Sequence, residues 1–258
     1  MKNDKMTVTF LGTGTSIGVP VITCDCPVCT SGDPRDSRSR ASVMIEVNDE
    51  VFVIDCGPDF RMQMLREKVM NLSAILFTHE HRDHIAGLDD VRAFNYVLNK
   101  RIDIYGVKRT LDMIQTEFPY IFSTQRYFGA PQINIHEISA EPFSIDGYHF
   151  IPVKVHHDKL PIMAYRFGDF TYITDASRID DDELEKVKGS RVVVLNALRN
   201  SKHPSHFSVE EAVEVIKKIN PEKAYLTHMS HFIGMHEDVD RKLPDFISPA
   251  YDGLRVEI

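Results

Sequence analysis

The chain has 258 residues, 43% of them apolar, and a formal net charge of -8 from 38 acidic and 30 basic side chains. This length suits one large or two small domains, and the composition is that of a globular protein with a sizeable core. The acidic balance argues against a polyanion-binding surface, and no apolar run is long enough to span a membrane. The first residues, MKNDKMTVTFLGTGTS, lack the apolar core of a signal peptide, so we expect a cytoplasmic protein.

Short runs rich in Val, Ile, Phe and Tyr recur along the chain and predict β-strands. The predicted strands lie at residues 6–12, 42–47, 51–56, 74–78, 101–106, 149–157, 163–168, 170–175, 191–197 and 223–228. Helical periodicity predicts helices at residues 59–70, 88–98, 108–121, 180–188 and 208–219. Hairpins alternate with β-helix-β segments, which favours mixed sheets with helices outside them. No Pro/Gly/Ser-rich linker divides the chain, so residues 1–258 are predicted to form one domain.

The segment LFTHEHRDHIAG, residues 76–87, holds four ligand-type side chains directly behind a predicted buried strand. Residues two apart on a strand point to the same side, so His79 and His81 can hold one ion together. Asp83 and His84 follow where the chain turns toward the next helix, and they can face a second ion. Imidazole and carboxylate ligands without thiolate are typical of a catalytic divalent cation with open positions.

Further candidate ligands stand at the ends of later predicted strands. One strand ends at the pair His156 and His157, another at Asp175 and a third at His228. Catalytic groups commonly gather at strand ends, on loops that a rigid sheet holds in place. These positions can therefore supply the additional ligands that a pair of metals needs.

The motif T-H-x-H-x-D-H behind an apolar strand, followed by a His, an Asp and a His at later strand ends, resembles the metallo-β-lactamase-fold hydrolases. FLGTGTS near the start and VIDCG around Asp55 strengthen this resemblance, which covers essentially the whole chain. It implies an α/β fold of the α+β kind, a four-layer αββα sandwich, with two divalent metals along one edge of the paired sheets. The ligand types admit zinc, manganese or iron at this pair.

The resemblance also implies a role for each candidate ligand. The first metal would be held by His79, His81 and His157, the second by Asp83, His84 and His228, and Asp175 would bridge both. Related sequences place KLP shortly after the ligand, which favours His157 and leaves His156 as the alternative. Asp55 is expected to fix a ligand imidazole through a hydrogen bond, with a plain turn residue at a strand end as the alternative.

A second cluster, CDCPVC, gives Cys24, Cys26 and Cys29 in a Gly/Asp/Ser-rich loop. In a reducing compartment this spacing favours a closed structural zinc site over three buried thiols. The cluster resembles that of the PhnP-like branch, whose phosphodiesterase opens a phosphoribosyl cyclic phosphate. That branch adds a histidine three residues beyond the last active-site histidine, and His231 stands at that position here.

This zinc would tie a loop at about residues 13–41 beside the active site, where the loop can form one wall of a pocket. Arg38 and Arg40 of that loop could reach an anionic substrate or be solvated. Cys56, outside the spacing, is expected to be a core thiol. The aromatic-rich segment 118–132 could line the pocket, meet a partner or fill the core.

The candidate catalytic residues are Asp83 and His206, and Asp83 is also a candidate metal ligand. His206 precedes a helix in HPSHFSVEEA, where phosphodiesterase branches of the family carry a histidine that binds a phosphoryl oxygen or protonates the leaving alkoxide. A helix-flanking surface histidine is the alternative, and His203 does not match the branch. The histidines that match no ligand position are expected to be structural or on the surface: His136, His149 and His236.

Together these features predict a metal-dependent phosphodiesterase for a small sugar- or nucleotide-like phosphate, cyclic phosphates included. A metal-bound hydroxide would attack phosphorus and displace an alkoxide, assisted by His206. The first alternative is an RNA-processing nuclease of the same fold, which the acidic net charge disfavours. The second is a non-catalytic accessory protein of cofactor biosynthesis, which the intact ligand set disfavours. The expected partner is a small phosphodiester, without membrane or nucleic acid, and a homodimer is a family-level expectation.

Overall fold

The computed structural model describes residues 5–125 and 127–258. The strands are β1 (Met6–Gly12), β2 (Ser42–Val47), β3 (Glu50–Ile54), β4 (Ala74–Leu76), β5 (Ile102–Gly106), β6 (Ile133–Glu137), β7 (Phe143–Ile145), β8 (Tyr148–His157), β9 (Leu160–Phe167), β10 (Phe170–Ile173), β11 (Arg178–Ile179), β12 (Val192–Asn196), β13 (Lys223–Thr227), β14 (Ile247–Pro249) and β15 (Arg255–Glu257). The helices are α1 (Phe60–Glu67), α2 (Arg82–Ile85), α3 (Arg92–Leu98), α4 (Lys108–Glu117), α5 (Pro119–Phe122), α6 (Asp181–Val187), α7 (Val209–Ile219) and α8 (His236–Asp240). None of the helices in these ranges combines the length and the apolar composition needed to cross a bilayer.

The strands form two mixed sheets. The first has the order β15-β1-β2-β3-β4-β5-β6, and its strands β3 to β6 are parallel. The second has the order β11-β8-β9-β10-β12-β13-β14, with β7 paired to the start of β8 and β10, β12, β13 and β14 parallel. Because parallel strands end at the same edge of a sheet, the loops after β3 and β4 and those after β10, β12 and β13 can meet at one rim.

Three apolar layers separate the four structural layers, and strand β12 shows how the sequence builds them. Val192 and Val194 lie in the cluster between the two sheets, whereas Val193 and Leu195 pack with α6 and α7 on the outer face. This alternation follows from the two-residue period of a strand. A third cluster packs α1, α3 and α4 against the outer face of the first sheet. The predicted αββα sandwich is confirmed.

Some predicted element boundaries are wrong for identifiable reasons. The helix predicted over 108–121 is divided at Phe118, which leaves helical geometry (φ -122°, ψ 54°) because Pro119 disfavours the helical conformation of the residue before it. The helix predicted over 59–70 ends at Glu67, and Lys68 follows in the left-handed conformation (φ 55°). The sequence does not predict the strands β6, β7, β11, β14 and β15, since runs of two to five residues leave little periodicity to detect.

The aromatic segment 118–132 divides into two parts. Phe118 and Tyr120 pack against the outer cluster of the first sheet, so the first part does fill the core. Phe128, in contrast, is 97% exposed. Arg126 of this segment lies outside the described residues.

Candidate metal centre

The rim where the parallel strands end gathers side chains from both sheets. Asp55 follows β3, His79 follows β4, Asp175 follows β10 and His228 follows β13. His157 is the last residue of β8. The two sheets are joined directly behind this rim, since the Met163 N–H donates to the Thr78 carbonyl at 3.0 Å.

Three of these positions share an uncommon backbone conformation. Asp55, Asp175 and His228 have positive φ angles of 65°, 58° and 53°. A left-handed conformation is uncommon for residues other than glycine, and such residues concentrate at functional sites. Here it bends the chain sharply at the end of the strand and turns each side chain into the rim.

A first group of ligand atoms comes from His79, His81 and His157, whose ligand atoms all lie within 4.8 Å of one another. His79 Nε2 is 3.0 Å from His81 Nδ1. The His157 Nδ1–H donates to the carbonyls of Asp175 and Ser205, both at 2.8 Å, which leaves Nε2 as the nitrogen with a free lone pair. The three imidazoles can therefore present lone pairs to one common point.

A second group consists of Asp83, His84, Asp175 and His228. His84 Nε2 is 3.2 Å from Asp83 Oδ2 and 3.3 Å from Asp175 Oδ2. His228 Nε2 is 3.2 Å from Asp175 Oδ1. Asp175 also approaches the first group, with Oδ2 3.7 Å from His79 Nε2. It is the carboxylate that lies between the two groups.

Asp55 fixes the orientation of two imidazoles from behind. It accepts from His84 Nδ1 at 2.7 Å and from both the N–H and the hydroxyl of Thr78 at 2.8 Å. The Thr78 hydroxyl in turn lies 2.9 Å from His79 Nδ1. A hydrogen bond at Nδ1 leaves Nε2 as the free nitrogen in His79 and His84. The sequence predicts that Asp55 orients a ligand imidazole, and these hydrogen bonds place it where it can do so.

The charges around His84 suit a cation. Burial opposes its protonation, yet Asp175, Asp83 and Asp55 raise the pKa of His84 well above its usual range. Burial alone would raise the pKa of the Asp175 carboxyl group. The neighbouring His228 and His84 instead hold this pKa well below its usual range. Three carboxylates therefore converge on one imidazole, and a divalent cation there would take over the balancing role of the proton.

Buried nitrogens without partners support the same conclusion. Within the described residues, His84 Nε2 and both ring nitrogens of His228 are buried and make no hydrogen bond. Buried polar atoms are normally satisfied, and each exception needs an explanation. Imidazole lone pairs and carboxylate oxygens that face each other fit a metal, because a bound cation satisfies both kinds of atom at once.

The structure distinguishes between the two neighbouring histidines at the end of β8. His157 joins the first group, whereas His156 Nε2 contacts Asp180 at 3.0 Å and does not belong to any of the ligand groups. Adjacent residues of a strand point to opposite sides, so one of the two must face away from the rim.

His206 lies beside both groups. Its ring stacks on His228 at 4.8 Å between centroids, lies 4.6 Å from the ring of His157, and has a buried Nδ1 without a partner among the described residues. Burial and the nearby His228 lower the pKa of His206 to about 3, so its imidazole is neutral. His203 lies 5.2 Å from the His206 ring, and its Nδ1 contacts the Ser205 hydroxyl at 3.1 Å. His203 thus supports the loop rather than joining the ligand atoms.

The cysteine cluster forms a separate site. Cys24, Cys26 and Cys29 place their sulfur atoms 3.3, 3.4 and 3.4 Å from His231 Nδ1. A tetrahedral zinc with three thiolates and one imidazole requires sulfur–nitrogen distances of about 3.5 Å, so the arrangement fits. The Cys29 N–H donates to the Cys26 sulfur, and this lowers the pKa of the Cys26 thiol to about 6. Cys56 is fully buried in the core, apart from this cluster.

The loop at 13–41 is also tied down by charged side chains. Arg38 is 3% exposed and donates to the Ala250 carbonyl at 2.6 Å and to the Thr13 hydroxyl at 3.0 Å. Arg40 pairs with Asp59 at 3.1 Å. Both arginines are thus occupied by internal contacts, and this argues against the idea that they reach a substrate.

Two further polar residues at the rim are not predicted by the sequence patterns. Asn196, the last residue of β12, donates to the Ala176 carbonyl at 2.9 Å and accepts the Ala176 N–H at 2.7 Å, which holds the turn after Asp175. Asp252 accepts from the N–H and hydroxyl of both Thr13 and Ser39. Asn196 could have been found from its position at the end of a predicted strand. No comparable pattern in the sequence points to Asp252.

Comparison with known proteins agrees with this architecture. A family model described as "Beta-lactamase superfamily domain" matches residues 51–229, well over half of the chain. The crystal structure of a diphosphatase from the PhnP family is similar with a TM-score of 0.93 and 41% identity, covering 98% of this chain and 97% of that chain.

Two curated relatives carry different names. An octanoyltransferase of Porphyromonas gingivalis is 37% identical over 252 residues, which cover 96% of this chain and 51% of that protein. A ribonuclease Z of Methanococcus maripaludis is 30% identical over 171 residues, or 63% of this chain and 48% of that protein. The chain spans about half the length of these curated relatives. The chain belongs to the β-lactamase superfamily, in its PhnP-like branch.

Proposed function

We propose that the protein is a metal-dependent phosphodiesterase that acts on small phosphate esters or anhydrides. The observation that carries the proposal is the pair of ligand groups with Asp175 between them and His206 beside both. The likeness to a PhnP-family diphosphatase at 41% identity supports chemistry at phosphorus rather than at an acyl carbon. The fold by itself does not choose the substrate, since many reactions share it.

In this proposal His79, His81 and His157 would hold the first metal and Asp83, His84 and His228 the second, and the Asp175 carboxylate lies where it could serve either. When bound, a pair of divalent cations acidifies water and stabilises the charge that develops on the oxygens of a displacement at phosphorus. Zinc, manganese and iron all suit this set of nitrogen and oxygen ligands. Cys24, Cys26, Cys29 and His231 would hold a separate structural zinc.

The protein's own groups position the ligands and the substrate. Asp55 and Thr78 bind Nδ1 of His84 and His79, so Nε2 of each ring already points inward before a metal binds. His206, neutral and wedged between His157 and His228, is placed to donate an N–H hydrogen bond to a phosphoryl or leaving-group oxygen. Asp83 completes the second group from the more open side of the rim, where its side chain is 15% exposed.

A substrate panel tests the proposal. The purified protein is assayed with bis(para-nitrophenyl) phosphate, an octanoyl thioester, a lactone and a β-lactam. We expect turnover of the phosphodiester, its loss on treatment with a chelator, and its recovery when zinc or manganese is restored. Preference for the thioester or another acyl substrate would contradict the proposal and would favour the activity named for the Porphyromonas relative.

Ribonuclease activity is the second candidate, favoured by the 30% identity to a ribonuclease Z over 171 residues. The net charge of -8 speaks against it, because RNA binding depends largely on basic side chains that contact phosphates. Tight RNA binding that weakens steeply with added salt would support the nuclease, and its absence would support a small substrate. An accessory, non-catalytic role would instead require a broken ligand set, whereas both groups are complete here.

A further inference from the structure

The first ligand group takes its members from both sheets. His79 and His81 lie on the loop after β4 in the first sheet, whereas His157 ends β8 in the second sheet. A metal held by all three requires these two segments to keep a fixed separation, because ligand distances tolerate only small deviations. The contacts that hold the two segments together therefore bear directly on metal binding.

Glu80 stands between two ligand histidines and faces away from them. Neighbouring residues on extended backbone point to opposite sides, and His81 has extended angles (φ -63°, ψ 145°). The Glu80 side chain is 13% exposed, and its carboxylate pairs with Arg109 Nε at 2.9 Å and accepts from the Thr110 hydroxyl at 3.3 Å. Both partners lie in the first turn of α4, so this helix holds the loop that carries His79 and His81.

Arg109 contacts the second sheet with the same guanidinium group. Its Nη2 donates to the Pro161 carbonyl at 2.8 Å. Pro161 lies opposite His156 in the hairpin of β8 and β9, and the adjacent Leu160 pairs with His157. Arg109 thus connects the loop that carries two ligands of the first group to the hairpin that carries the third.

One backbone hydrogen bond already joins the sheets closer to the core. The Met163 N–H donates to the Thr78 carbonyl, at the base of both segments. Glu80 is two residues from Thr78, and Pro161 is two residues from Met163, each toward the end that carries the ligands. The contacts of Arg109 therefore act at an outer position, beyond the point where the sheets themselves fix the two segments.

We propose that Arg109 is a positioning residue for the first metal, because it sets the separation between the loop of Glu80 and the hairpin of Pro161. This inference rests on the pair of metals in the proposed function. The planar guanidinium group presents its N–H donors in a rigid fork, so it can hold a carboxylate and a carbonyl at the same time. In this role Arg109 acts through these two contacts and does not itself bind the metal.

The test measures zinc affinity at the paired groups of the purified protein by competition with a chelator. For Arg109→Ala we expect one of the two binding steps to weaken about tenfold, at the low end of what groups that orient ligands contribute. The other step should change less than about twofold, because a change at one site adds little at an independent site. Anomalous diffraction from crystals equilibrated with limiting zinc identifies the sites, and the peak at the first group should weaken relative to the peak at the second.

Two further variants separate the contacts of Arg109. Arg109→Lys should recover only part of the lost affinity, because a single ammonium group does not reproduce the fork. Glu80→Gln keeps an oxygen acceptor and loses the charge, so the same binding step should weaken by about threefold. The matched control is Lys108→Ala, at the neighbouring residue of α4, whose ammonium group pairs with Asp112 of the same helix. It should change neither binding step.

Thermal melting at saturating zinc should differ little among these proteins, because partly exposed ion pairs contribute little to stability. Equal weakening of both binding steps, or no weakening at the first group, would overturn the role of Arg109. If the unmodified protein binds both metals and cleaves the aryl phosphodiester while Arg109→Ala binds zinc unchanged, the inference fails and the proposed function stands. If the unmodified protein binds no metal at the paired groups, both fail.

Discussion

The two ligand sites share one short segment of the chain and yet differ in nearly every physical respect. His228 belongs to the paired groups and His231, three residues later, belongs to the cysteine cluster. The paired groups combine buried and open positions, with His79 at 0% and Asp175 at 2% exposure but His81 at the surface. Their side chains come from strand ends in both sheets and from the segment after β4. The cysteine cluster is half-buried and draws three of its four residues from a single loop.

The difference is the one expected between a catalytic metal site and a structural one. In the cysteine cluster the sulfurs crowd around one nitrogen at 3.3 to 3.4 Å, which fills all four positions of a tetrahedral ion. The paired groups offer nitrogen and oxygen ligands, and hydrogen bonds from Asp55 and Thr78 orient two of the imidazoles. A cleft is open beside His81 and His157. A metal in a closed site can only stabilise the fold, whereas metals beside a cleft can meet a substrate.

The largest effect should come from the carboxylate between the two groups. For Asp175→Ala we expect metal content to fall from three ions per chain to about one, and phosphodiester turnover to fall roughly a thousandfold or more. Elemental analysis and steady-state kinetics measure both. Asp112→Ala, on the exposed face of α4, is the control and should change neither. Retention of all three ions in Asp175→Ala would contradict the assignment.

His206 should affect chemistry without affecting metal content. For His206→Gln we expect turnover of a diester with an alkoxide leaving group to fall about a hundredfold, because the flexible amide does not keep its N–H where the imidazole packed against His157 and His228 holds it. The loss should be smaller with a para-nitrophenyl leaving group, which needs less assistance. His149→Gln, at an exposed histidine on β8, serves as the control. A drop in metal content with His206→Gln would show instead that His206 is a ligand.

Asp55 should strengthen metal binding at the paired groups and leave the cysteine cluster unaffected. Asp55→Asn loses an acceptor for His84 or Thr78, so we expect metal affinity at the pair to fall about 10- to 100-fold. Competition with a chelator measures it. The control is Asp103→Asn, which disrupts another carboxylate–imidazole pair, that of Asp103 with His136. Equal effects of the two substitutions would refute a specific role for Asp55.

The cysteine cluster should matter mainly for stability. For Cys26→Ser we expect one zinc to be lost while the paired metals stay, and the melting temperature to fall by about 10 °C. The loop at 13–41 should become more sensitive to protease, and activity should fall far less than with Asp175→Ala. Cys56→Ala, which removes a thiol outside the cluster, should keep all three ions. Loss of the paired metals with Cys26→Ser would show that the two sites are not independent.

Local patterns in the sequence are enough to single out the candidate ligands. His157, Asp175 and His228 stand at strand ends, and the other candidates of the pair share one short motif after β4. The T-H-x-H-x-D-H motif and the C-x-C-x2-C spacing by themselves indicate two groups of different chemistry. The sandwich follows from the mixture of hairpins and β-helix-β segments, and it is confirmed. The metal-binding roles themselves stay predictions until metal is measured.

What the sequence could not predict depends on contacts between distant residues. The Thr13 hydroxyl donates to Asp252, 239 positions away, and the Tyr165 hydroxyl donates to the Phe77 carbonyl across the two sheets at 2.7 Å. No local pattern encodes such pairs. The internal role of Arg38 could not be read for the same reason, since its partner Ala250 lies 212 positions along the chain.

Anomalous diffraction from crystals grown with zinc tests the central claim most directly. We expect three peaks per chain: two flanking the Asp175 carboxylate, among His79, His81, His157, Asp83, His84 and His228, and a third among the three cysteine sulfurs and His231. Density at the cysteine cluster alone, with none beside Asp175 at saturating zinc, would contradict a bimetallic active site.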